Sequence, residues 1–215
     1  MPANLPPWLG EAAKAVAGGA VFFLILLLVF RLIELTRPKA RRLRIFRKGV
    51  WTDIAYAAFT PLVTRAVTRF SVTIVIIPFA LIAYGQVDRD LILNGFGPMG
   101  RVPYPAQAAL ILLLGDFIGY WGHRAFHAGR LWRFHAVHHS SDDLDWLSSL
   151  RVHPVNDALM RVAGALPVLS LGFAPAAVAA VLPLLTLMAI LIHANVDWDW
   201  GPLRAIIVSP RFHRW

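Results

Sequence analysis

Five of the chain's eight histidines fall between His123 and His139, as His123-Arg-Ala-Phe-His127 and His135-Ala-Val-His138-His139. In a helix, His123 and His127 are four apart and share a face. His135, His138 and His139 do the same on a second helical segment, and Gly129 is the natural break between the two. Neutral imidazole is the commonest protein metal ligand, so two such faces turned toward each other surround a metal rather than fill a core. The competing reading is a basic, partly solvated segment beside a membrane whose histidines are incidental. It suits a lone histidine better than a pair of boxes.

Three more histidines follow: His153 in Arg-Val-His-Pro, His193 in His-Ala-Asn-Val-Asp, and His213 in Phe-His-Arg-Trp. Each alone reads as an ordinary polar residue near a helix end. With the boxes they raise the supply to eight imidazoles, more than one tetrahedral zinc needs. Two metals with mostly nitrogen ligands fit that count better, and open positions on redox-active iron allow oxygen chemistry. Other chemistries fail on missing residues. The chain has no cysteine, which excludes iron–sulfur clusters, thiolate zinc and a cysteine nucleophile. Its only glutamates, Glu11 and Glu34, are remote in sequence from the histidines, so neither a Glu-x-x-His bundle nor a His-Glu-x-x-His protease can be built. There is no Gly-x-Ser-x-Gly elbow, P-loop or dinucleotide fingerprint.

Two further polar residues are candidates for the chemistry. Asp116 lies one face along the same helix from His123, near the end of an apolar run, where an ionisable side chain is expensive. It is either an acceptor that orients a ligand imidazole or a partner for Arg124 or another basic residue. Asn195, and Asp197 close by, follow His193 and are candidates for the same orienting role or for weak ligation. Asp142, Asp143 and Asp145 read as a solvated acidic turn.

The elements that must position these groups are membrane helices. Hydrophobic residues make up 58% of the 215-residue chain and mean hydropathy is +0.60. The net charge of +9 is clustered at the ends of apolar runs. That pattern points to anionic lipid and away from nucleic acid. A first span is expected at about 15–35, long enough at about 1.5 Å per residue to cross a hydrocarbon core of about 30 Å. It reads as a retained span rather than a cleaved signal peptide. Seven basic residues and no acidic one lie in 37–48, which places that loop in the cytoplasm. An amphipathic helix at about 50–69 precedes a second span at 70–87, and 88–105 is an outer loop. Residues 106–122 return and deliver His123. The uncharged run 162–192 would be about 46 Å long as one helix, so Gly172 and Pro175 predict a hairpin within it. Under this topology every histidine reaches the cytoplasmic face. The expected fold is therefore all-α: a bundle of about four or five transmembrane helices with a histidine-rich helical cap. Residues 1–105 form an N-terminal membrane region and 106–215 the catalytic region.

The motifs Tyr120-Trp-Gly-His123-Arg-x-x-His127, Leu131-Trp-Arg-Phe-His135-x-x-His138-His139-Ser140, Arg151-x-His153-Pro154, His193-Ala-Asn195 and Ser209-Pro-Arg-Phe-His213-Arg-Trp215 resemble the fatty acid hydroxylase/sterol desaturase superfamily. The resemblance covers about 115–215. It implies a membrane-bound non-haem di-iron oxidoreductase that uses O2 and two electrons to hydroxylate or desaturate a lipid C–H bond. It implies His123, His127, His135, His138, His139, His193 and His213 as metal ligands, with His153 at a recurrent His-Pro position. The implied cofactors are two iron ions, and zinc is an alternative occupant of the same nitrogen ligands. The implied partners are a lipid substrate, the membrane and a separate electron donor of cytochrome or ferredoxin type. The expected location is a bacterial inner membrane with the histidines facing the cytoplasm. The family's last box reads His-x-x-His-His, whereas this chain stops at His213-Arg214-Trp215. The chain is therefore read as truncated, with a site that binds one metal or binds weakly.

Two rivals make different demands on the sequence. A histidine-rich metal-handling or transport protein predicts histidines along the spans at mid-membrane depth, but here they sit at span ends. A structural membrane protein without metal leaves the paired boxes unexplained.

Overall fold

The computed structural model describes residues 6–36, 38, 46–71, 73–74, 78, 81–82, 85 and 97–214. The described residues contain helices and turns and no strand. The expected span 70–87, the first half of the loop 88–105 and the basic loop 37–48 lie largely outside them, while the second half of the loop forms a short helix, Gly97–Arg101, and leads into the helix that starts at Tyr104.

Among the described residues five long helices carry the fold: α1 Pro7–Thr36, α2 Val50–Ser71, α3 Tyr104–Phe126, α4 Pro154–Leu171 and α5 Pro175–Leu191. Proline opens the first turn of α3, α4 and α5, where a missing N–H costs no helical hydrogen bond. The long uncharged run does break at Gly172, whose φ of 76° is a left-handed geometry that ends α4. The Gly172 and Phe173 N–H groups return to Leu169 and Val168 carbonyls at 3.1 and 3.2 Å, and Pro175 starts α5.

α3 packs against α5 and α4, and α2 packs against α4. The contact between α3 and α5 is close because Gly115 lacks a side chain. A Cβ there would stand 2.9 Å from Leu185 Cδ1. One core joins Ile111, Phe173, Ala174, Ala177 and Val181. The buried Gln107 fastens it, accepting the Ala174 N–H at 2.8 Å and donating to the Met99 and Val102 carbonyls. A second core includes residues on either side of His193 in the chain. It joins Leu26 and Phe30 of α1 to Val50, Trp146, Leu147, Ile190, Ala194 and Val196. Phe30 stacks on Trp146 with ring centroids 5.5 Å apart.

Among the described residues, α1 alone is long and apolar enough to cross a membrane, with a mean hydropathy of 2.6. The other helices fall short for visible reasons: α3 carries Gln107 and Asp116, α4 carries Asp157 and Arg161, and α5 is apolar but only 17 residues long. Much of α1 is bare, with Val16, Phe22, Leu24 and Leu28 all exposed.

Candidate metal centre

The last turn of α3 carries His123, and His127 caps the helix. Their Nε2 atoms lie 3.0 Å apart, as spacing on one helical face requires. Gly129, at φ 56°, then turns the chain back. A short helix, Trp132–His135, and the turn His138–Ser140 return His135 and His139 to the same place, with their Nε2 atoms 3.1 Å apart. These four imidazoles form one group whose ligand atoms all lie within 4.8 Å of one another.

His138, His193 and His213 form a second such group. His193 follows α5 and His213 lies in the short helix Pro210–His213. His193 Nε2 lies 2.7 Å from His138 Nε2 and 3.0 Å from His213 Nε2. The groups adjoin, with ring centroids 5.0 Å apart for His123 and His213 and 5.2 Å apart for His135 and His138. A cavity of about 130 Å³ opens beside them, lined by His138, His139, Leu144, His193, His213 and Arg214.

The hydrogen bonds decide which nitrogen is free. A carbonyl only accepts, so His138 Nδ1–H donates to the Arg151 carbonyl at 3.1 Å. His193 Nδ1–H likewise donates to the Ala189 carbonyl at 2.7 Å. Both neutral rings therefore aim an Nε2 lone pair at the other across 2.7 Å. Facing lone pairs repel, and a shared cation removes the repulsion. In the first group His135 Nδ1 is held by the Asn156 side-chain oxygen at 2.8 Å, which turns its Nε2 toward His139.

The rings are also kept in their ligating form. Burial, and then the charge that neighbouring imidazoles would carry, push His138 down to about 3 and His139 to about 4. The same causes push His213 down to about 4 and His193 well below the ordinary value of 6.5. Such rings stay neutral at physiological pH and compete with no proton for a metal.

Other candidates lie around these groups. His153 lies outside both: its Nδ1 accepts the Val155 N–H at 3.1 Å and its ring packs on Phe134. Asp116 faces the Val208 N–H at 3.5 Å. Asn195 is buried, and its side-chain oxygen accepts from Arg214 at 3.3 Å. Arg214 also donates to the Leu144, His193 and Ala194 carbonyls, which ties the last residues to the His193 turn. Asp197 pairs with Arg211 at 2.8 Å. The acidic turn is only partly solvated. Asp142 pairs with the exposed Lys48, but Asp145 caps the turn Trp146–Leu150 and meets the buried Arg47.

Residues that spacing did not single out hold the site in place. Glu34 of α1 is buried and accepts the Trp146 and Asn195 N–H groups at 3.1 and 2.9 Å. Asp53, Arg47, Arg151 and Asn156 are buried as well. The available signal was cost: ionisable residues such as Glu34 and Asp53 inside apolar stretches call for a partner.

The fatty acid hydroxylase family profile matches residues 108–215, which carry every histidine of both groups. The chain belongs to the fatty acid hydroxylase family. It is 40% identical over 116 residues to ornithine lipid hydroxylase OlsE of Rhizobium tropici, covering 53% of this chain and 34% of that protein. It is 30% identical over 105 residues to alkylglycerol monooxygenase of Caenorhabditis elegans, covering 48% of this chain and 20% of that protein. The match thus spans about a third or less of either relative. No solved structure matches the chain.

Proposed function

We propose that this fatty acid hydroxylase chain forms a membrane-bound, O2-dependent non-haem di-iron centre that oxidises a C–H bond of a lipid. The observation that carries the reading is the pair of Nε2 lone pairs, on His138 and His193, fixed face to face at 2.7 Å beside a second group of four imidazoles. His123, His127, His135 and His139 would hold one ion, and His138, His193 and His213 the other. Two iron ions supply the electron transfer to O2 that attack on an unactivated C–H bond requires.

The chain's own residues do the positioning. Asn156 and the Arg151 and Ala189 carbonyls fix His135, His138 and His193 in the tautomer that leaves Nε2 free. Arg214 closes one wall of the cavity, and Leu144 adds an apolar surface that excludes water. In this reading the electrons come from a separate donor: the sequence has no cysteine for a cluster, and seven of its eight histidines lie in the two groups.

The lipid assignment is supported by the names of the two relatives, both of which act on lipids, and by the bare apolar surface of α1. In this reading α1, the α4–α5 hairpin, α3 and the segment 70–87 are embedded in the bilayer as a bundle of four or five spans. The basic stretch 37–48 keeps the histidine groups on the cytoplasmic side. The test is lipid analysis by mass spectrometry after expression in a bacterium supplied with isotopically heavy O2. A hydroxylated lipid carrying heavy oxygen, absent with His138→Ala, is the expected result. An unlabelled lipid profile identical to that of the empty host overturns the proposal.

A further inference from the structure

The second imidazole group rests on a buried ionic cluster that reaches it from outside the family match. Asp53, in the first turn of α2, is fully buried. One carboxylate oxygen accepts from Arg47 Nη2 at 2.6 Å, and the other accepts from Arg151 Nε. Arg47 also reaches both oxygens of Asp145, with Nε at 2.7 Å from one of them. Asp145 in turn caps the Trp146–Leu150 turn, which ends at Arg151. Two arginines face two aspartates, so the cluster is neutral as a whole while each charge depends on the others.

Arg151 is the member that touches the histidines. Its guanidinium donates to the Gly49 carbonyl at 3.0 Å and to the Ser140 carbonyl and hydroxyl at 3.3 and 3.2 Å. Its own backbone carbonyl accepts His138 Nδ1–H. One residue thus clamps the turn His138–Ser140 from two sides and selects the His138 tautomer. Asp53 and the start of α2 hold that residue in place. Deletion of the Asp53 charge leaves the Arg151 guanidinium buried without its carboxylate, and the carbonyl that orients His138 moves with it.

We propose that Asp53 is a positioning residue for metal binding at the His138–His193–His213 group, acting through Arg151. The inference rests on the metal-centre reading above. It makes α2, which lies before the matched region, part of the site's construction. The His123–His127–His135–His139 group draws its orientation mainly from Asn156 and from α3 and meets the Arg151 clamp only through His139, so loss of the Asp53 charge weakens it less than the second group. That selectivity separates positioning from a merely structural role, which would weaken both groups together.

The test is metal stoichiometry and affinity, by competition with a chelator, for the detergent-purified chain loaded with cobalt(II). Asp53→Asn keeps the shape and removes the charge. Arg151→Lys keeps the charge balance but cannot span Gly49, Ser140 and Asp53 at once, and it decides the question if Asp53→Asn does not fold. In both variants the expected result is one metal weakened by less than about 10-fold and the other, at the His138–His193–His213 group, weakened about 10- to 100-fold. Added to a His193→Ala background, Asp53→Asn is expected to cause no further loss. Parental affinity at both groups, or equal weakening of both, overturns the role of Asp53 and leaves the metal reading standing. A folded parent protein that binds no cobalt overturns the metal reading and this proposal with it.

Discussion

At the scale of single residues, the hydrogen bonds made by Nδ1 separate the histidines that can ligate from the one that is spoken for. His138 and His193 donate from Nδ1 and keep a free lone pair on Nε2. His153 accepts at Nδ1 from the Val155 N–H, so its neutral ring carries the proton on Nε2 and offers no free lone pair. His153→Ala is therefore expected to keep the full metal content and to cost about 1 kcal/mol of stability as a lost helix cap. His138→Ala is expected to lose the metal of the second group while the fold survives. Elemental analysis and thermal unfolding of the two variants check both statements, and loss of metal with His153→Ala would contradict the first. The first box was legible in the sequence because His123 and His127 are four residues apart on one helical face. The expected shared face of His135, His138 and His139 does not form: the helix ends at His135, and His138 turns away to His193 and His213. The tautomers were not legible, because Asn156, Arg151 and Ala189 become acceptors only once the chain has folded.

At the scale of elements, the site depends on how closely α3 approaches α5, since α3 carries His123 in its last turn and α5 leads into His193. Gly115 sets that approach, with no room for a Cβ against Leu185. Gly115→Leu is expected to destabilise the protein by about 1–3 kcal/mol through overpacking. It is also expected to weaken metal binding, because it displaces one imidazole-bearing helix end from the other. A lowered unfolding temperature with unchanged metal affinity would contradict the second half. The hairpin break was readable from Gly172 and Pro175, whose backbone preferences act locally. Glu34 and Asp53 were not readable as parts of the site. Their partners, Trp146, Asn195 and Arg151, lie roughly a hundred or more residues away, and only tertiary packing brings them together.

At the scale of the whole molecule, a set of neutral imidazoles, with His138 buried, His213 half-buried and His139 exposed, couples stability to pH. In the folded protein His138, His139 and His213 are held near 3 to 4, against 6.5 ordinarily. Below 6.5 the unfolded chain binds protons that the folded chain refuses. Their contribution is thus fully present above that pH and is lost as the pH falls toward 4. The metal-free protein in detergent is expected to show an unfolding temperature that drops between neutral pH and about pH 4, and a flat profile would contradict this. The all-helical class was legible from apolar run lengths. A second span at 70–87 remains part of the proposal. The central claim is that the two imidazole groups hold metal, and metal content per chain after anaerobic loading with iron tests it most directly. Two ions per chain, one for each imidazole group, with His138→Ala falling to one, is the result predicted. A folded protein that retains no iron would contradict the account.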